Sequence, residues 1–241
     1  MMISNNKIPI LLNEALLHLQ VKKWEVWEPT KAPHMIIVGS TGSGKTYFSK
    51  LLLSKIAIHS NQVEMYISDF KGDSDFSFLS GCKNFFRFEE CSDGLDQFYK
   101  LFLDRQKNLS SSRTMLIYYI DEWQSFLGYI DKKDAEDKKR KLSSLLALGR
   151  SFNVHVIVSQ QRADAQYFST ARDNFSVAIG LGNLSPESKD MLFHDYKDNM
   201  ENTCRQGTGY MLTNGMALTR IAVPTITNMD KLHRTLRSVV K

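Results

Sequence analysis

The stretch that most limits what this chain can become is Gly39 to Thr46, GSTGSGKT, which fills the pattern G-x-x-x-x-G-K-[ST] at every specified position. Three glycines and two serines permit a tight turn whose successive backbone N–H groups point inward at an anionic phosphate chain. Upstream, His34-Met35-Ile36-Ile37-Val38 is a short apolar run suited to a buried parallel strand. Downstream, Tyr47 to Ile58 places Phe48, Leu51, Leu52 and Lys55 at helical spacing. A strand, loop and helix in that order bring the positive end of the helix dipole to the phosphate site. Lys45 then reaches the β/γ-phosphates and Thr46 offers a hydroxyl to Mg²⁺. The expected ligand is ATP, held by Gly39, Ser40, Thr41, Gly42, Ser43, Gly44, Lys45, Thr46 and Tyr47.

A chain of 241 residues, 42% of them hydrophobic, can bury a full core. The pattern of elements predicts one α/β domain over 34–241, with a mostly parallel central sheet, helices on both faces and a carboxyl-terminal antiparallel hairpin. An amino-terminal arm, 1–33, precedes it. The arm contains an amphipathic piece, Ile10 to Val21, then Trp24-Glu25-Val26-Trp27 and a Pro29/Pro33 bracket. It reads either as a docking arm or lid over the nucleotide base, or as packing that covers a sheet edge. The net charge of +5, from 31 basic and 26 acidic residues, leans modestly towards a polyanionic partner. Cys82, Cys91 and Cys204 have no metal-ligand spacing and read as reduced thiols. No stretch approaches 18 apolar residues and the amino terminus is too polar for a signal peptide, so a soluble, cytoplasmic protein without a membrane segment of its own is expected.

The second chemical stretch is Thr114 to Glu122, TMLIYYIDE, a central strand that delivers an acidic pair to the sheet's carboxyl edge. This is the Walker B pattern. Asp121 is the expected Mg²⁺ ligand beside Thr46, and Glu122 the group that orients or deprotonates the water attacking the γ-phosphorus. Val154 to Val158 reads as another buried strand, ending in Ser159-Gln160-Gln161-Arg162, whose amides can sense the γ-phosphate. Between them, Gly128 to Lys141 reads as a solvated loop or exposed helix start, or else as a nucleic-acid contact through Lys138, Lys139, Arg140 and Lys141. Asp69 and Lys71, after the strand Val63 to Ile67, are candidates for the edge of the site. Thr213-Asn214-Gly215 marks the closing hairpin, and 228–240 a basic terminal helix.

Together, PHMIIVGSTGSGKT, the DFKGDSDF loop, the YYIDE strand and the run GRSFNVHVIVSQQRAD resemble the motor domain of FtsK/SpoIIIE DNA translocases in the FtsK–HerA group. The likeness spans about Pro33 to Leu232 and implies a RecA-like P-loop fold. It matches Lys45 and Thr46 to the phosphate-loop pair, Asp121 and Glu122 to the Walker B pair, Gln161 to the glutamine of the family's TQRP sensor strand, and Arg150 to an arginine preceding that strand. Ala178 and Lys189 stand where the family has arginines, so a trans-acting finger does not transfer directly; Lys189 and Arg172 are the candidates. The implied activity is ATP-driven movement of DNA by a ring, a hexamer, in a setting such as DNA transfer or packaging, with a membrane or capsid partner conceivable. Two other readings stay open: a secretion-type ATPase moving protein, and a nucleotide-gated binding module with little turnover.

Overall fold

The computed structural model describes residues 7–108 and 114–241. Its strands are β1 (Ile8–Asn13), β2 (Trp24–Trp27), β3 (Met35–Val38), β4 (Val63–Asp69), β5 (Phe85–Arg87), β6 (Met115–Asp121), β7 (Val154–Gln160), β8 (Val177–Leu181), β9 (Thr208–Thr213) and β10 (Ala217–Ala222). They form one sheet in the order β2-β1-β10-β9-β8-β3-β7-β6-β4-β5. From β8 through β5 the strands run parallel, while β9, β10, β1 and β2 pair antiparallel. β3, β6, β7 and β8 are buried along their whole length, which explains their continuous apolar runs: parallel strands covered on both faces cannot alternate.

The helices are α1 (Glu14–His18), α2 (Lys45–His59), α3 (Cys91–Lys107), α4 (Trp123–Tyr129), α5 (Lys132–Leu148), α6 (Pro186–Phe193) and α7 (Met229–Val240). Two apolar clusters divide them between the faces. Phe48, Leu52 and Ile56 of α2 share one cluster with Leu232 and Leu236 of α7 and with Ile37, Ile117 and Ile157 of the sheet. Leu95, Phe98 and Phe102 of α3, Phe126 of α4, Leu142 and Leu145 of α5 and Phe193 of α6 pack on the other face against Ile36, Tyr118 and Val156. The expected sheet, two-faced helical cover and closing hairpin are all present.

One element differs from expectation. The Ile10–Val21 piece is a strand followed by a five-residue helix, because Ile8, Ile10 and Leu11 are covered by the sheet they extend. Leu12 of β1 pairs with Ala222 of β10. Neither tryptophan of this arm reaches the phosphate loop. Trp27 is buried near the amino end of β7, its ring edge-on to His155 and its indole N–H donating to the Ala32 carbonyl at 2.6 Å. Trp24 lies against Lys55, towards the far end of α2. The charged run, expected as a solvated loop or exposed helix start, supplies the first part of α5 from Lys132. Lys138 is buried and pairs with Asp96 at 2.6 Å, Lys139 meets Glu136 at 2.9 Å, Arg140 meets Asp137, and Lys141 meets Asp96 at 2.8 Å. Each of these four cations is paired within the chain, to three carboxylates in all, so they are not a free phosphate-binding row.

Candidate nucleotide-hydrolysis site

The register across the sheet sets the site. Asp69 pairs with Asp121, Asp121 with Ser159, and Val38 with Gln160, so Gly39, Phe70, Glu122 and Gln161 all emerge from one carboxyl edge. Parallel strands place chemistry there because every crossover returns from that edge to the opposite one. At its centre, the phosphate loop turns from β3 into α2. Gly44 caps the helix at φ 101°, a left-handed conformation that favours glycine. Gly39 must be bare for another reason: a Cβ there would lie 2.4 Å from the Leu181 carbonyl oxygen at the end of β8. The loop is also held from outside. The Ser43 carbonyl accepts the Gly207 N–H at 2.9 Å, and the Gly207 carbonyl accepts the Val223 N–H at 2.7 Å, tying the loop to the segments flanking β9 and β10. Arg220 of β10 in turn bridges Glu14 of α1 and Glu201.

Lys45 is buried, and its ammonium donates to the Gly39 carbonyl at 2.6 Å and the Ser40 carbonyl at 3.4 Å. Burial lowers its pKa, while Glu122 and Asp121 raise it. Asp121 faces α2, with the Tyr119 hydroxyl donating to its Oδ1 at 3.3 Å. Burial pushes its pKa up, with Lys45 opposing. Glu122 sits at φ 57°, ψ 49°, its N–H donated to the Ser159 carbonyl at 2.7 Å. A left-handed glutamate is a strained conformation of the kind found where a side chain must be aimed. Burial and then the charge of Asp121 raise its pKa, and a hydrogen bond with Gln161 lowers it. Gln161 also accepts from the Thr41 hydroxyl at 3.5 Å. A cleft of about 660 Å³ brings Ser40, Thr41, Glu122 and Gln161 together.

Three predicted residues lie elsewhere. Arg150 precedes β7 at the amino edge, opposite the cleft, where its Nε donates to the Thr30 carbonyl at 2.9 Å. Lys189 on α6 donates to the Met200 carbonyl at 3.2 Å and to Asn202 Oδ1 at 2.7 Å. Arg172 is exposed beside Asp173. Sequence reasoning missed two members of the site. Arg162 lines the cleft beside Gln161; its place in the same run was the available signal. Asp69, suggested only for the rim, is buried opposite Asp121, its Oδ1 accepting the Gly72 N–H at 3.2 Å while Oδ2 is buried without a partner. Burial is the main cause that pushes its pKa up to about 6, and the charge of Asp121 adds to it.

Mg²⁺ fits this donor set. Asp69 and Asp121 lie opposite each other, both buried, and Asp69 Oδ2 has no partner, so a divalent cation would offset the cost of burying their charge. A hydroxyl from Thr46 and a carboxylate from Asp121 are hard oxygen ligands, and Mg²⁺ uses one or two such groups together with substrate phosphates. Among the described residues there is no cluster of three or more His, Cys, Asp or Glu that could hold a metal.

Comparison with known proteins bears on the fold and the family. Over 212 residues the chain is 26% identical to the Ftsk domain-containing protein YdcQ of Bacillus subtilis (strain 168), covering 80% of this chain and 43% of that one; it therefore spans less than half of that relative. The pCW3 conjugation coupling protein TcpA, solved with ATPγS, superposes with TM-score 0.74 at 16% identity over 98% of this chain and 71% of that chain. The cytoplasmic domain of the Thermomonospora curvata type VII secretion ATPase EccC gives 0.73 at 18% identity over 98% of this chain and 31% of that one. These likenesses confirm the P-loop ATPase fold. Since the FtsK/SpoIIIE family profile matches residues 9–181, well over half its length, the chain belongs to the FtsK/SpoIIIE family.

Proposed function

We propose that this chain is a Mg²⁺-dependent ATPase that assembles with copies of itself into a ring, a hexamer, and uses ATP turnover to move DNA. The observation that carries the catalytic part is the convergence of the phosphate loop, Glu122 and Gln161 on one cleft. On ATP binding, Lys45 leaves the Gly39 and Ser40 carbonyls for the β/γ-phosphates. Thr46 and Asp121 would hold Mg²⁺, which would supply neutralising charge to the phosphoryl oxygens. Glu122 orients water and takes its proton as the water oxygen bonds to the γ-phosphorus and the bond to the β–γ bridging oxygen breaks, releasing ADP and phosphate.

Gln161 bonds the γ-phosphate and transmits its loss. Two residues on, the Ala163 N–H donates to the Ser188 hydroxyl at 3.0 Å, so the sensor strand is fastened to α6. Gln161→Ala is expected to keep ATP binding and to lose far more DNA-stimulated than basal turnover; equal losses would make Gln161 structural only. The ring rests on the open cleft, which leaves space for a neighbour's cation beside Arg162, whereas Lys189 is held by the Met200 carbonyl and Asn202 within its own subunit. Specific ATPase activity should then rise with protein concentration, and a hydrolysis-dead subunit should poison wild type beyond dilution. A rate proportional to enzyme, with a monomeric mass under ATP and DNA, would defeat the ring.

Protein cargo is the second reading, favoured by the likeness to EccC. ATPase rates with single-stranded DNA, double-stranded DNA or neither decide between them. Stimulation by DNA that falls steeply with salt supports DNA as the cargo, because phosphate contacts release counterions. No stimulation at any salt sinks that assignment.

A further inference from the structure

At the end of α2 remote from the phosphate loop, a cluster stands apart from the cleft. The Lys55 ammonium lies 4.0 Å from the Trp24 ring centroid and that of Lys22 lies 5.4 Å from it. Among the described residues, neither lysine has an acidic partner, nor has the exposed Lys23 beside them, whereas Lys138 to Lys141 on α5 all have one. Glu25, the neighbouring carboxylate, accepts from the Asn13 amide at 2.9 Å. Two cations over one indole, neither with an acidic partner, and an exposed Lys23 next in sequence form an electrostatic arrangement that calls for an anion. Burial and the charge of Lys22 lower the pKa of Lys55, consistent with that crowding.

The surroundings choose among anions. Leu19 and Val21, in the turn that carries Lys22, are 70% and 51% exposed, and Ile58, one turn beyond Lys55 on α2, is 58% exposed. A nucleic-acid backbone would engage the lysines and leave these aliphatic tips in water. An anionic bilayer engages both kinds of group: lysines extend to headgroup phosphates, tryptophan sits at headgroup depth, and aliphatic tips enter the acyl boundary. We propose that this surface docks the protein peripherally on membranes containing anionic phospholipid, through Lys22, Lys23, Lys55 and Trp24 with Leu19, Val21 and Ile58. No helix among the described residues is long and apolar enough to cross a membrane, so the contact lies in the plane of the interface. Because α2 begins at the phosphate loop and reaches Lys55 and Ile58 about 15–20 Å further on, docking turns the nucleotide cleft away from the bilayer.

The test is co-sedimentation of the whole chain with phosphatidylcholine vesicles prepared with and without phosphatidylserine, with tryptophan emission recorded in parallel. Expected are binding that requires phosphatidylserine and weakens with salt, and a blue shift that Trp24→Phe abolishes, Trp27 and Trp123 being buried already. Each lysine near an anionic surface is worth about fivefold in binding, so Lys22→Ala with Lys55→Ala should weaken it about 25-fold. Leu19→Ser with Val21→Ser should also weaken it, and both pairs should keep the wild-type Tm and basal ATPase rate. Equal binding to both vesicle types, or lysine variants that bind vesicles as wild type does, would overturn the proposal. So would lysine variants that lose DNA binding while retaining vesicle binding, which would assign the patch to nucleic acid.

Discussion

Glu122→Gln should bind ATP as wild type does, hydrolyse it slower by a factor on the order of 10² or more, and melt at a higher temperature. The rate loss follows from removing the group that takes the proton of the attacking water, within the range that general-base contributions span. The gain in stability follows from the same environment. Burial and the charge of Asp121 hold the Glu122 carboxyl above its ordinary pKa, which means that the folded protein is penalised for ionising it. A neutral amide of the same shape lifts that penalty. Lys45→Ala behaves oppositely towards ligand, losing nucleotide binding or turnover altogether, since no other side chain among the described residues is bonded within the loop as Lys45 is. Fluorescent-nucleotide titration, phosphate release and thermal melts on the two variants check all of this. A Glu122→Gln protein with unimpaired turnover would remove Glu122 as the base.

Acidification from pH 7 to 5 should cost about 4 kcal/mol of folding stability through two histidines far from the cleft. His34 and His155 are buried at the amino ends of β3 and β7, and desolvation pushes their pKa values down to about 3 and about 4. His34 Nδ1 accepts the Val156 N–H at 3.0 Å, a bond that protonation of that nitrogen destroys. Below pH 6.5 the unfolded chain takes up protons that the folded chain refuses. The contribution of the neutral pair is therefore complete above pH 6.5 and is lost as pH falls, through to the folded-state values near 4 and 3. Each pH unit in that window is worth about 1.4 kcal/mol per group, hence about 2 kcal/mol for each histidine at pH 5. Against a typical total of about 5–15 kcal/mol this is a large share. Denaturant unfolding at several pH values checks it, with His155→Gln expected to halve the slope. A slope unchanged by that substitution would clear the histidines.

What could be read in advance follows the reach of the interactions. The phosphate loop, its flanking strand and helix, and the acidic pair after β6 are specified within about a dozen consecutive residues each, and the structure assembles them on one edge. The hairpin at Thr213-Asn214-Gly215 was legible for the same reason, since Asn214 and Gly215 both take the positive φ that such a turn demands. The strand character of Ile8–Asn13 was not legible, because it is set by pairing on both sides, with β2 nearby and with β10 some two hundred residues away. The pairing of Lys138 and Lys141 was hidden likewise: Asp96, which they share, lies on another helix. Asp69 shows the limit most clearly. Its residue type suggested the rim, but only the parallel register of β4 with β6 sets it opposite Asp121.

The bond from the Gly207 N–H to the Ser43 carbonyl turns one amide into a reporter. Exchange of that proton with solvent needs the phosphate loop and the β9 end to separate, an opening too local to require global unfolding. Its protection therefore records how firmly the loop is clamped, without any label placed in the cleft. A nucleotide that stiffens the loop should slow exchange at Gly207 while amides in the middle of α3, on the opposite face of the sheet, keep their rates. The same signal, followed through a turnover cycle, would time the loosening of the loop against the release of phosphate.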